Sequence, residues 1–137
     1  MVRVKVCCIA SVGEIQLATR EGADALGLVA EMPSGPGVLT DDRITDLAGQ
    51  VPAGVGRFLL TQHTDPAGVV AHVERTGVDT VQICDHVPVG VLRQIRERCS
   101  ARVVSVVHVL AEDAEAYAQQ ASREAHALLL DSGRPGA

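Results

Sequence analysis

The chain has 137 residues, 47% hydrophobic and 21% charged, so it folds around a core rather than staying disordered. A net charge of −5, with one Phe, one Tyr and no Trp, argues against a nucleic-acid surface, which needs a basic face and stacking rings. No apolar run reaches membrane-spanning length and no signal peptide precedes the first strand pattern, so a cytoplasmic setting is expected, with Cys7, Cys8, Cys84 and Cys99 as free thiols.

The core must then be built from Val, Leu, Ile and Ala, which suits parallel strands buried on both faces. The first strand pattern covers residues 2–9 and carries Lys5-Val6-Cys7-Cys8. Alternation puts Lys5 and Cys7 on one face, Val6 and Cys8 on the other. A thiol near a cation ionises more readily, so Cys7 is a candidate base or nucleophile. A buried Cys is also an ordinary small apolar residue, the reading preferred for Cys8, expected to pack outward against helices. A helix pattern follows over 12–21, with Gly22 where a C-cap belongs.

The second strand, 25–30, runs into Glu31-Met32-Pro33-Ser34-Gly35-Pro36-Gly37-Val38. The backbone N–H groups at Gly35 and Gly37 could face an anion, although a plain Gly/Pro turn explains the same residues. A helix over 41–48 starts at Thr40 and ends at Gly49. The third strand, 55–60, contains Arg57 in an otherwise apolar run. Thr64-Asp65-Pro66 then caps a helix over 66–76. His63 and His72 in this part read as surface residues.

The fourth strand, 80–83, sets Gln82 and Cys84 on one face, followed by Asp85 and a solvated-loop His86. After a helix over 89–98, the fifth strand covers 103–109 and carries His108 near its end. A helix over 112–123 leads to the sixth strand, 127–130, which ends Leu128-Leu129-Leu130-Asp131-Ser132. Burial of a carboxylate at that rim would raise its pKa and suit Asp131 to general acid work; an N-cap or turn Asp is the alternative. No His and carboxylate set has metal-ligand spacing, and no phosphate-loop or dinucleotide fingerprint occurs. No cofactor is expected.

Strict alternation of strand and helix implies βαβ units, a parallel sheet and right-handed crossovers. Periodicity alone leaves two architectures open, a small flavodoxin-like open sheet and most of a TIM (βα)8 barrel lacking the last two strands. In either, the working residues sit at the carboxyl ends of the strands.

Five stretches narrow the choice. Lys5-Val6-Cys7-Cys8-Ile9-Ala10 resembles the opening Lys-Ile-Cys-Gly-Ile-Thr of the phosphoribosylanthranilate isomerase family. Gly22-Ala23-Asp24-Ala25-Leu26-Gly27 matches that family's Gly-Ala-Asp-Ala-Leu-Gly. The loop from Pro33 to Thr40 is similar to its Pro-Lys-Ser-Pro-Arg-Tyr-Val-Ser. Val81-Gln82-Ile83-Cys84-Asp85 is similar to Val-Gln-Leu-His-Gly, and Leu128 through Ser132 is identical to Leu-Leu-Leu-Asp-Ser.

The resemblance implies residues 1–137 as a single partial (βα)8 barrel and an Amadori rearrangement of a phosphoribosyl amine in tryptophan biosynthesis. Asp131 would protonate the furanose ring oxygen, and Cys7 as thiolate would remove the C2′ proton. Lys5, Gly35, Gly37, Gln82, Cys84 and His108 would bind substrate, a small phosphorylated metabolite. Neither a nucleic acid nor a membrane is expected as partner. An open barrel would expose strand edges, so copies of the chain would associate or further residues would follow.

Several positions depart from the family pattern. Gly37 stands where the family has a loop arginine, Cys8 where it has Gly, Cys84 where it has His, and His108 where Arg is common. The implied alternative is a divergent non-catalytic or different-substrate phosphosugar-binding relative on the same barrel, or weak activity on the family substrate. Arg57 could replace the lost arginine, or lie at the amino-terminal side and pair with a carboxylate.

Overall fold

Branched aliphatics, which favour extended backbone and pack well on a pleated surface, form six short strands. The computed structural model describes residues 1–33 and 35–133. In chain order the elements are β1 (Lys5–Val6), α1 (Val12–Arg20), β2 (Ala25–Val29), α2 (Asp41–Ala48), β3 (Gly56–Thr61), α3 (Pro66–Thr76), β4 (Thr80–Ile83), α4 (Val89–Arg98), β5 (Arg102–His108), α5 (Ala114–Glu124) and β6 (Ala127–Asp131). The strands form one sheet in the order β1-β2-β3-β4-β5-β6, and every pair is parallel. Sequential order with a helix after each of the first five strands is the winding of a (βα)8 barrel; a flavodoxin-like sheet changes direction at a switch point. The chain forms six strands and five helices of such a barrel.

Local signals set the helix ends. Ser11 accepts from the N–H of Glu14, whose carboxylate accepts from the N–H of Ala10, so two otherwise orphaned donors are satisfied together. Thr40 caps α2 and Asp65 caps α3, with Pro66 opening the latter. Gly77 ends α3 at φ 69°, a left-handed conformation that glycine adopts without a Cβ clash.

Alternation gives the sheet two faces. Leu26, Leu28, Leu59, Val81, Ile83, Val103 and Val107 point to the helices and form the core with Ile15, Ile44, Leu47, Val69, Leu92 and Ile95. Full burial of each such side chain stabilises by about 1.5–3 kcal/mol. The opposite face carries Lys5, Gly27, Phe58, Leu60, Gln82, Val104, Val106 and Leu129, the positions that line a barrel interior.

β1 is much shorter than the pattern over 2–9 suggests. It lies at a sheet edge and pairs only with β2, through Lys5↔Ala25 and Val6↔Leu26. Val4 and Val6 are exposed there, as is Leu17 of α1, and at the other edge Leu130 is 68% exposed. The apolar surface expected of an open barrel therefore lies at both edges of the sheet.

Candidate active site

β1, β4, β5 and β6 bring their carboxyl ends to one rim. Cys7 follows β1 and Cys84 follows β4, while His108 ends β5 and Asp131 ends β6. Lys5 Nζ donates to Gln82 Oε1 at 2.6 Å and lies 5.0 Å from the centre of the Phe58 ring, which holds the ammonium on the inner face. Gln82 Nε2 reaches Cys84 Sγ at 3.7 Å. His108 Nε2 donates to the carbonyl oxygen of Cys84 at 3.2 Å, and His108 Nδ1 stands 3.8 Å from Asp131 Oδ2. A continuous run of contacts thus crosses the sheet from Lys5 to Asp131. Cys84 sits within electrostatic range of Lys5, Cys7 and Asp131.

Six of the eight expected site residues, Lys5, Cys7, Gln82, Cys84, His108 and Asp131, therefore share one face and one end of the sheet. Asp131 lacks the burial expected of a carboxyl after three leucines: its side chain is 49% exposed, because β6 is an edge strand. Gly35 is exposed at φ 114°. Gly37 lies against Cys8, which draws the loop after β2 onto the end of β1.

Cys8 does not pack outward against helices. The chain leaves the sheet after Val6, and Cys8 takes φ 59°, the one positive φ at a non-glycine residue among those described. That is the conformation glycine adopts most easily, and it carries the side chain to Gly37. A Cβ on Gly37, itself at φ 79°, would come within 2.8 Å of the Cys8 Cβ and 3.1 Å of its Cα. The two departures from the family pattern therefore touch: a side chain at 8 fills the space a side chain at 37 would need. Cys8→Gly is expected to stabilise the fold by about 1 kcal/mol, as the left-handed strain is relieved. Gly37→Arg alone should destabilise it, and the double variant should recover much of that loss. Urea unfolding of the three variants measures both effects.

Gly27 was legible only as part of a motif. A Cβ there would stand 2.8 Å from Cys7 Sγ and 3.2 Å from Cys7 Cα, so the residue makes room for the thiol. Phe58 was missed altogether, though it is the only Phe and strand alternation places it on the inner face.

Arg57 is at the opposite end of the sheet. Its Nε pairs with Asp79 at 3.3 Å, and its N–H donates to the same carboxylate. It cannot supply the site with the charge that Gly37 lacks. A cavity of about 750 Å3 also opens at this amino-terminal end, lined among others by Arg3, Phe58, Arg102 and His126. We place the candidate site at the other end, where the thiols, the imidazole and Asp131 converge and where parallel barrels carry their chemistry.

His72 is not a surface residue. It is 3% exposed: the Thr61 hydroxyl donates to Nδ1 at 3.0 Å, and Nε2 donates to Asp41 at 2.8 Å. Its polarity suggested exposure, and only the approach of α2, β3 and α3 supplies both partners.

Burial pushes the Cys84 thiol up to about 11, against the hydrogen bond from Gln82 and the charge of Lys5. Burial and the neighbouring Cys7 also raise Cys8. Near pH 8 about one Cys84 in a thousand would be thiolate, so Cys84 is expected to resist iodoacetamide until the protein is denatured. Mass spectrometry of peptides alkylated before and after unfolding checks this. Among the described residues, no three His, Cys, Asp or Glu side chains could together hold a metal ion. No helix there is long and apolar enough to cross a membrane.

No family model matches the chain. Over 139 aligned residues it is 32% identical to the N-(5′-phosphoribosyl)anthranilate isomerase of Rubrobacter xylanophilus, an alignment covering 99% of this chain and 65% of that protein. The chain is a homologue of the phosphoribosylanthranilate isomerases. Its fold superposes on the phosphoribosylanthranilate isomerase of Thermotoga maritima with a TM-score of 0.82 and 27% identity, covering all of this chain and 64% of that one. A further phosphoribosylanthranilate isomerase, solved with reduced 1-(o-carboxyphenylamino)-1-deoxyribulose 5-phosphate, matches with a TM-score of 0.79 and 25% identity over 96% of this chain and 66% of that one. The chain spans between about half and two-thirds of the length of the curated isomerases it matches.

Proposed function

We propose that this chain carries the acid–base half of a phosphoribosylanthranilate isomerase-type site and takes part in the Amadori rearrangement of a phosphorylated aminoaldose. The observation that carries this reading is the convergence of Lys5, Cys7, Gln82, Cys84, His108 and Asp131 on one strand-end rim. Asp131, half-exposed and open to a ligand, would give a proton to the furanose ring oxygen, opening the ring to a Schiff base. Cys7 would take the C2′ proton, with Lys5 adding a positive charge two residues away on the same face. The resulting enolamine tautomerises to the ketone. No cofactor is needed, because the protons and the electron pair stay within the substrate and these two side chains.

A complete barrel would need two more βα units. The exposed Val4, Val6, Leu17 and Leu130 mark the two edges such units would cover. Further units in the same polypeptide, or association of copies, would bury them.

The experiment is complementation of a tryptophan auxotroph lacking the isomerase. The chain is expressed alone, and together with the last two βα units of a related isomerase. Growth in the second case and not the first supports the reading. A soluble co-complex that turns over no phosphoribosylanthranilate would remove it.

The contact between Gly37 and Cys8 favours one second reading, a phosphosugar ligand other than phosphoribosylanthranilate. The loop presents no arginine there and is packed so that it accepts none without strain. Titration with a panel of phosphorylated aldoses and ketoses tests this. Preference for phosphoribosylanthranilate analogues over all of them would exclude it.

A further inference from the structure

His108 and Asp131 are register partners on adjacent parallel strands, so their side chains leave the sheet side by side on one face. The contacts of each group define where protons can sit. His108 Nε2 lies 3.2 Å from the carbonyl oxygen of Cys84. A carbonyl only accepts, so Nε2 carries a hydrogen. In a neutral imidazole, Nδ1 is then a bare lone pair. That Nδ1 is buried without a hydrogen-bond partner, on a residue only 9% exposed, and it faces Asp131 Oδ2 at 3.8 Å. On the carboxyl side, Oδ1 accepts from the N–H of Gly133 at 3.3 Å. Oδ1 is thus occupied as an acceptor, and a proton on the carboxyl belongs on Oδ2, the oxygen nearest His108.

We propose that Asp131 and His108 hold one proton between them, so that the acid of this site is the pair and His108 is the positioning residue for Asp131. The proton sits on Oδ2 or on Nδ1; the two atoms stand 3.8 Å apart, and a turn of the half-exposed Asp131 side chain towards the ring would bring them within hydrogen-bond distance. Passing it between the two leaves their summed charge unchanged and requires no co-reactant. Because Nδ1 is buried, His108 acts through Asp131 and does not touch the ligand. This departs from the substrate-binding role that the resemblance implies for His108.

The inference deepens the isomerase reading and rests on it only for the identity of the proton acceptor. Under that reading, Asp131 protonates the furanose oxygen, and the carboxylate left behind, half-exposed, recovers a proton for the pair from solvent. The groups in contact with His108 are Asp131 from β6 and the carbonyl of Cys84 after β4; Lys5 and Cys7 act on Cys84 from the β1 side. Glu112 and Asp113, before α5, are exposed to solvent. Tyr117 of α5 is engaged on the helix side, by Ser105 and the Val87 carbonyl.

The test needs no turnover. In the isotopically labelled 137-residue chain, NMR follows the His108 ring nitrogens and the Asp131 carboxyl carbon against pH. We expect the Nε2–H tautomer with a bare Nδ1 in the neutral ring, and pH inflections common to both residues. Asp131→Asn should remove the shared inflection from His108. His108→Gln, which keeps an amide donor for the Cys84 carbonyl, should remove it from Asp131. An amide correlation spectrum confirms that both variants keep the fold. An Nδ1–H tautomer, or titrations of the two residues that are independent of each other, overturns the proposal. Shared titration without isomerisation in the complemented barrel leaves the pair standing and removes the isomerase reading. Isomerisation with independent titrations does the reverse.

Discussion

In an assembly that turns over substrate, Cys7→Ser is expected to lower kcat by on the order of 100- to 10,000-fold, while Cys8→Ser stays within a few-fold of the parent. The two thiols are adjacent in sequence but differ in surroundings. Cys7 lies on the inner face, two residues after Lys5 and against Gly27. A serine hydroxyl there keeps the volume but is far too weak an acid to serve as a ready base near neutral pH. Cys8 has left the sheet at φ 59° and packs on Gly37, and burial and its neighbour Cys7 raise its thiol. It therefore remains protonated and is poorly suited to base work. Asp131→Asn should cost a comparable factor to Cys7→Ser, with a different pH profile, because it would remove the proposed acid and leave the proposed base. Steady-state rates across pH separate the variants. Equal, large losses from both cysteine substitutions, with an unchanged fold, would show that the cysteines are structural and that Cys7 is not the base.

The second large effect concerns stability. His72→Leu is expected to destabilise the chain by about 2–4 kcal/mol, since it strips partners from the buried Thr61 hydroxyl and from Asp41. Arg75 holds the other oxygen of Asp41 at 2.7 Å, so the cluster ties α2 to α3 and to the end of β3. The same cluster makes the fold acid-sensitive. Burial lowers the His72 pKa below its ordinary value, by more than Asp41 raises it. Burial tends to raise Asp41, but His72 and Arg75 outweigh it and hold the carboxyl below its usual range. The unfolded chain takes up the His72 proton from about pH 6.5 downward, before the folded chain does. This contribution is complete above that pH and shrinks as pH falls towards the depressed folded value. The contribution of Asp41 is present above the ordinary carboxylate range and is lost as pH falls through its depressed folded value. Both act in the same direction, so the urea midpoint should fall from pH 7 to pH 5 and further below pH 4. His72→Gln, which does not titrate, should flatten the first part of that fall. A midpoint that rises on acidification to pH 5 would contradict this account.

Local chemistry determined much of the fold. The observed bounds of α2, α3, α4 and β4 coincide with the sequence patterns, because caps such as Thr40, Asp65-Pro66 and Gly77 act within one helical turn. Strand alternation alone was enough to place Lys5 with Cys7, and Gln82 with Cys84. The motifs around Cys7 and Asp131 carried the family relationship that the alignments and the superposition support.

Tertiary structure decided the rest. β1 shrank to two residues, because strand length depends on hydrogen bonds to a neighbour, and β1 has one neighbour that pairs over only two positions. Cys8 became a left-handed residue because the chain must turn out of the sheet there, and its contact with Gly37 joins positions far apart in sequence. His72 was buried by partners from other elements, and Arg57 was drawn to Asp79 at the amino-terminal end. The approach of His108 to Asp131 exists only because β5 and β6 pair in one particular register. A one-residue slip would send one of the two side chains to the opposite face of the sheet. Sequence patterns specify which residues can lie on a face; the pairing of strands, fixed by packing across the whole sheet, specifies which of them meet.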